Sequence, residues 1–471
     1  MGVHKSVAAW GAALVLGGCA APVMDAAQPA PALPKQWPQA ATATEADAAL
    51  SQHWWRSFGS AELDSVVDRA QIQSWSVAEA AARVRQAAAR WNQAGAALLP
   101  EVNGGMTATR NKSLSDGGDT AQNRFTASLS ASYEVDFWGK NRAGRDAAQA
   151  AWKASVFDRD TVQLTVTAGA AQAWLHSVAL HERVDIARLN LQSAERLVQL
   201  VESRARAGAA SALELAQQKG LVASQRRSLL ALQQQALDAQ AALATLLGQA
   251  GGADVVTTRL LGLQMPAVGV GVPAQLLVRR PDIARAEAQL AAAQANVQVA
   301  RAAMLPRLTL TGSVGTGDDR WQRMFDNPLY ALAAGLTAPI FDAGRLAAGN
   351  ELAMAQREEL LATYRKTIIE AFADVQLALH AVTGVQAQAE AQSEELAQAR
   401  KALSLAETRY RSGAESLLTL LDAQRTLYAA QDVAVQLRLA HLQAHVSLYK
   451  ALGGGWDMAA AAAGDSGLNT Q

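Results

Sequence analysis

The sequence predicts a mainly α protein with a membrane β-barrel contribution, in which a strand pair followed by a long coiled-coil helical hairpin occurs twice. Three observations predict it. A shift of about 205 positions lays Glu202, Arg204, Arg206, Gly208, Ser211 and Leu213 on Glu407, Arg409, Arg411, Gly413, Ser416 and Leu418. Hydrophobicity alternates with period two after Pro100 and again after Pro306. Long stretches then follow with a seven-residue apolar repeat. A period near 205 is far beyond that of a solenoid, so the 471 residues form two similar halves of one body.

Composition narrows the function. The chain carries 42 basic and 42 acidic residues. With no basic excess to neutralise phosphates, nucleic acid is not an expected partner. Cys19 is the single cysteine, so no intrachain disulfide can form. It follows His4, Lys5 and an apolar run from Val7 to Leu16 that is too short to span a bilayer. Residues 1–18 resemble a bacterial lipoprotein signal, after which Cys19 becomes the first mature residue and carries a covalent lipid. Ala20 behind it implies sorting to the outer membrane. Residues 19–50, with Pro22, Pro29, Pro31, Pro34 and Pro38, read as an extended lipidated tether.

The body divides into a first repeat at 51–250, a connection at 251–280 and a second repeat at 281–452, with a disordered tail expected at 453–471. Ser76 and Glu79 have capping-box spacing and open a helix that runs to Pro100. Pro281 at a first-turn position, with Asp282 meeting the helix dipole, opens the matching helix to Pro306.

Strands are predicted next. Phe125, Ala127, Leu129, Ala131, Tyr133, Val135 and Phe137 alternate with Thr126, Ser128, Ser130, Ser132, Glu134 and Asp136; Leu308, Leu310, Gly312 and Val314 alternate with Thr309, Thr311 and Ser313. Val102 to Thr109 and Leu332 to Ile340 are fainter versions, with turns expected at 113–119 and 315–319. Apolar on one face only, these segments have the pattern of membrane barrel strands, which an ordinary half-wet antiparallel sheet shares. Four strands cannot close alone, and open edges in lipid would cost several kcal/mol per orphan group, so several chains must share one barrel.

From Gly139 and Gly344 the sequence reads as helix up to Gly208 and Gly413, on the order of 100 Å each. The predicted seam comprises Ala187, Leu191, Ala194, Val198 and Val201, returning through Leu215, Val222, Leu229, Leu232, Ala236, Ala239, Leu243 and Leu246. In the second half it comprises Leu396, Ala399, Leu403, Ala406 and Tyr410, then Leu420, Ala423, Leu427, Ala430, Ala434 and Leu437. Such a repeat makes left-handed supercoils. Ser211 and Glu214 supply a capping box behind the first tip.

Together these segments resemble the outer-membrane efflux factors of the TolC type, in their NodT-like lipoprotein branch. The resemblance rests on Trp54 to Phe58 after the tether, Tyr133 to Lys140, Arg279-Arg280-Pro281-Asp282-Ile283, Pro339 to Arg345, and Tyr410-Arg411-Ser412-Gly413 leading to Leu418 to Gln424. It implies a homotrimer with one twelve-strand barrel in the outer membrane and a helical tunnel through the periplasm. It further implies docking to a periplasmic adaptor and an inner-membrane pump of the resistance-nodulation-division class, with passive conduction of drugs or other small toxic compounds. By the same resemblance Leu418 and Asp422, four apart on one helix face, form the periplasmic gate, and Arg206, Gly208, Arg411 and Gly413 contact the adaptor.

Neither a nucleophile with its base nor a cofactor fingerprint is present in the sequence, so no enzyme and no cofactor beyond the Cys19 lipid are expected. His441 and His445, four apart, lack the adjacent glutamate of a zinc protease, and His441 falls on the coil seam where the first half has Ala236. Arg279, Arg280 and Asp282 lack a glycine loop and read as a helix start. An exit duct of a type I protein secretion system would share this architecture. A periplasmic adaptor lipoprotein would instead need a lipoyl-like sheet around one hairpin.

Overall fold

A computed structural model of the chain describes residues 37, 51–112, 121–266, 268 and 273–456. Cys19, most of the tether, the turn at 113–119 and the tail from 457 lie outside the described residues. All described residues belong to one unit, Pro34–Gln471.

The duplication is kept element by element. After a 3-10 turn at Trp54–Phe58 and helix α1 (Ala61–Gln73), the first repeat runs α2 (Trp75–Ala96), β1 (Glu101–Lys112), β2 (Ala121–Val135), α3 (Lys140–Arg206) and α4 (Ala212–Leu246). The second runs α5 (Pro281–Ala302), β3 (Arg307–Asp318), β4 (Pro328–Thr337), α6 (Arg345–Arg411) and α7 (Leu417–Ala451). Corresponding helices match in length: 22 residues for α2 and α5, 67 for α3 and α6, 35 for α4 and α7. At 1.5 Å per residue the long pair reaches on the order of 100 Å.

Local chemistry explains the helix ends, with some departures from expectation. Pro281 sits in the first turn of α5 as predicted. The helix at 76 begins one residue earlier, after Ser74, and has no side-chain cap. Ser76 is inside it, and Glu79 pairs instead with Arg83. α1 was not foreseen; Ser60 caps it by accepting from the Leu63 N–H. Gly248 and Gly453 close α4 and α7 in the left-handed region, with φ 70° and 92°. A Cβ there would lie 2.4 Å from the Gln73 carbonyl oxygen and 1.9 Å from that of Arg279. Each repeat thus ends against the backbone just before its own first long helix, an approach only glycine permits.

The four strands form one antiparallel sheet in the order β1-β2-β3-β4. Leu129 lies opposite Gly104 and Val314, and Gly312 opposite Ala131 and Leu332, so one face is apolar. Ser130 lies opposite Asn103 and Ser313, and Ser132 opposite Thr311, so the other is lined with hydroxyls. Every residue of the edge strands β1 and β4 is exposed. The turn expected at 315–319 is instead strand up to Asp318, because Gly315 and Gly317 serve close contact with β2 rather than chain reversal. β4 ends at Thr337, short of Ile340, since Pro339 offers no N–H to the ladder.

The main core lies where the connection meets the helices. Trp54, Trp55 and Phe58 pack with Leu63, Val67, Trp174, Val178, Leu243, Leu260 and Val446. Trp54 stacks on Tyr449 with ring centroids 5.0 Å apart. Trp37, from the tether, is buried among Leu276, Val375, Ala378 and Leu448. Trp456, assigned to the tail from the sequence, is instead packed: it donates to the Asp160 carboxylate at 2.9 Å and sets its ring edge-on to Phe157.

Candidate functional site

The hairpin tips are built by backbone geometry. α3 ends when the Gly208 N–H donates to the Ala205 carbonyl and the Ala209 N–H to that of Arg204, with Gly208 at φ 72°. α6 ends identically through Gly413 to Tyr410 and Ala414 to Arg409, with φ 77°. This is the left-handed C-terminal cap. The return helices are capped too: Ser211 and Glu214 form the predicted capping box, and Ser416 accepts from the Thr419 N–H at 3.3 Å. Glu415 accepts from the Ser416 N–H and the Thr419 hydroxyl, and these bonds hold its carboxyl below the ordinary range.

At these tips Arg206, Gly208, Arg411 and Gly413 are all exposed. Arg206 donates to Ser203, and Arg411 lies 3.8 Å from Glu407, so both cations stay near the last helical turn.

Beside the second tip, Leu417, Leu420 and Leu421 are buried, whereas Leu418 is 65% exposed and Asp422 is exposed. Helical geometry puts Leu418 and Asp422 on one face, turned away from the packing seam. Leu213, the first-repeat counterpart of Leu418, is 67% exposed. Each hairpin therefore offers a bare leucine one turn behind its tip, with a carboxylate following only in the second.

Sequence reasoning missed the links between the two hairpins. The Arg204 guanidinium stands 4.7 Å from the centre of the Tyr410 ring and donates to the Tyr410 carbonyl at 2.7 Å. Arg183 grips Asp432 with two hydrogen bonds of 2.6 and 3.1 Å. The Tyr428 hydroxyl donates to the Asn190 carbonyl at 3.3 Å. None of these pairs is near in sequence, so no local pattern announces them.

No group of three His, Cys, Asp or Glu side chains fit to hold a metal occurs among the described residues. His445 is buried and its Nδ1 lies 2.9 Å from the His441 carbonyl oxygen. Burial, against that hydrogen bond, holds its imidazole below the ordinary histidine value. At the helix start read from the sequence, Arg280 forms an ion pair with Asp282 and a second with Asp374.

Comparison with known proteins agrees with this architecture. The family model described as outer membrane efflux protein matches residues 66–249 and 272–454, one segment per repeat. The pyoverdine export outer membrane protein OpmQ of Pseudomonas aeruginosa is 50% identical over 467 residues, covering 96% of this chain and 97% of that protein. The cation efflux system protein CusC of Escherichia coli is 30% identical over 94% of this chain and 97% of its own. A crystal structure of CusC superimposes with a TM-score of 0.82 at 27% identity, over 90% of this chain and 98% of that one. The chain belongs to the outer membrane efflux protein family and is an outer-membrane channel component of an efflux system.

Proposed function

We propose that three copies assemble into one passive exit duct, anchored by a lipid on Cys19 and completed by a periplasmic adaptor and an inner-membrane pump of the resistance-nodulation-division class. The observation that carries the trimer is the sheet: four strands with both edges bare. Edges in hydrocarbon must be paired. Two copies would give eight strands, whose interior side chains fill; three give twelve and leave room for water. The hydroxyl-lined face then becomes the channel wall.

In this duct the Leu418 side chains form an apolar constriction and the Asp422 carboxylates a charged ring at the periplasmic end. Arg206, Gly208, Arg411 and Gly413 meet the adaptor. Like charges in a ring repel, so the closed state is held by other contacts and yields when a partner binds the open one better. Cargo is a small molecule, with a siderophore of the pyoverdine kind favoured by the 50% identity to OpmQ over nearly the whole chain. The test is conductance in planar bilayers: the double variant Leu418→Ala, Asp422→Ala opens wider and more often than wild type. Unchanged single-channel conductance removes these residues from the gate. In cells lacking their own pyoverdine channel, expression of this chain restores siderophore to the medium; restored drug resistance without siderophore would move the cargo to toxic compounds.

A further inference from the structure

The apolar face of the sheet carries a groove of about 510 Å³. Gly104 and Ala127 leave space at its floor, Met106, Leu129 and Val314 wall it, and Phe325 closes its upper end. Phe325 reaches this place because the segment between β3 and β4 folds back over the apolar face. The Thr316 hydroxyl donates to the Met324 carbonyl, and the Met324 side chain is tucked in at 5% exposure. Phe325 and Trp321 remain two-thirds exposed on the outside.

An apolar face needs an occupant, and the position of this groove selects one. It opens perpendicular to the sheet, so copies that pair edge to edge leave it uncovered. On the reading that this face meets the bilayer, acyl chains are what lies against it. Above the groove the described part of β1 is basic, while the β3–β4 segment carries both signs. Arg110 follows Met106 by four residues on the same pleat, about 13 Å further along β1, and Lys112 lies beyond it. On the β3–β4 side Arg320 and Arg323 stand among Asp318, Asp319 and Asp326, and Asp318 already accepts from the Arg320 N–H. The two charged residues in the far half of β1, Arg110 and Lys112, are both cations.

We propose that the groove binds one acyl chain of a phosphorylated lipid of the outer leaflet, with the lipid phosphate seated at Arg110 and Phe325 lying across the chain. Specificity divides in two: the groove takes up an apolar chain, and the guanidinium recognises phosphate by charge-assisted hydrogen bonds. The site is separate from the conducting path, because Ala127 and Arg110 point away from the hydroxyl-lined face.

The experiment titrates purified, delipidated channel with lipid A and reads bound lipid by native mass spectrometry, with dephosphorylated lipid A in parallel. Ala127→Trp, which fills the groove, is expected to weaken retention at least tenfold. Leu336→Trp, on the same face but outside the groove, is expected to retain lipid as wild type does. Arg110→Ala is expected to lower retention of lipid A to that of its dephosphorylated form. If Ala127→Trp does not assemble, Phe325→Ala, on the exposed segment, carries the same expectation of weaker retention. Equal retention in all variants, or equal loss in Ala127→Trp and Leu336→Trp as for unspecific annular lipid, overturns the site. Conductance is recorded on the same preparations: normal conductance with unchanged lipid retention sinks the groove and leaves the channel reading standing.

Discussion

Arg280 ties two helix ends to the middle of a third helix. It makes two hydrogen bonds to Asp282 in the first turn of α5, one to Asp374 on α6 at 3.0 Å, and donates to the Ala451 carbonyl at the end of α7, also at 3.0 Å. Only 11% of its side chain is exposed, against 20% for Asp282. Removing the cation leaves a largely buried carboxylate unpaired, so Arg280→Ala is expected to cost about 2–3 kcal/mol, somewhat under the full value for a wholly buried pair. Burial by itself would raise the Asp282 carboxyl; the Arg280 hydrogen bonds and charge, with the Ile283 N–H, outweigh it and hold it below its ordinary value. A carboxyl depressed in the folded state contributes stability that is complete above the ordinary carboxylate value and is lost as pH falls through the folded one. Thermal melts of wild type and Asp282→Asn should therefore converge on acidification below about pH 4. Melts that stay parallel would mean that Asp282 contributes nothing through its charge.

At the scale of elements, the tips separate folding from docking. A Cβ at Gly208 or Gly413 would find no atom within 4 Å, so the first side-chain carbon meets no steric conflict. The left-handed backbone conformation alone charges a substitution about 1–2 kcal/mol. Gly208→Leu with Gly413→Leu should leave the assembled protein intact on a native gel while abolishing export, since the added bulk projects outward where the adaptor is proposed to sit. Normal export would remove the tips from that interface. The same helices show what a sequence conveys and what it hides. Element order and the turns at Gly208 and Gly413 were legible because glycine, a capping serine and apolar periodicity are local signals. The seam was legible in part in both repeats: Ala187, Ala194, Val201, Leu232, Ala236, Ala239 and Leu243 are buried in the first, and Ala399, Leu403, Ala406, Tyr410, Leu420, Leu427 and Ala430 in the second, whereas Leu396, Ala423, Ala434 and Leu437 are only half-buried. Nearer the tip of the first repeat, Asn190, Leu197, Gln218 and Leu221 are buried where Leu191, Val198, Leu215 and Val222 were expected and are only half-buried. Hydrophobicity favoured the wrong neighbours because polar residues sit in the seam: the Gln218 amide donates to the Ala194 carbonyl, as Gln392 does to Ala430. A partner across the hairpin satisfies such a residue, and no local pattern reveals it.

At the scale of the whole molecule, the bare edges dictate assembly, and a thiol ladder tests it. β1 and β4 have 12 and 10 residues, about 33–40 Å at the strand rise, enough to cross the apolar band of an outer membrane. If copies close a ring, β1 of one lies beside β4 of the next. Thr107 and the series Ala331, Ala333 and Gly335 share the hydroxyl-lined face, so a cysteine at Thr107 combined with one at each β4 position scans the unknown register. The native background is a single thiol at Cys19, which the proposed lipid would block. Disulfides form only where Cα atoms come within about 4.4–6.8 Å, so one or two positions should react and the rest should not. Under oxidation the reactive pair should give bands of one, two and three copies on a denaturing gel, and none larger, because a closed ring has no free edge. An open sheet would lengthen without limit, and a lone protomer would yield no ladder. Either result would show that the edges are not joined in a ring of three and would take the conducting lumen with them.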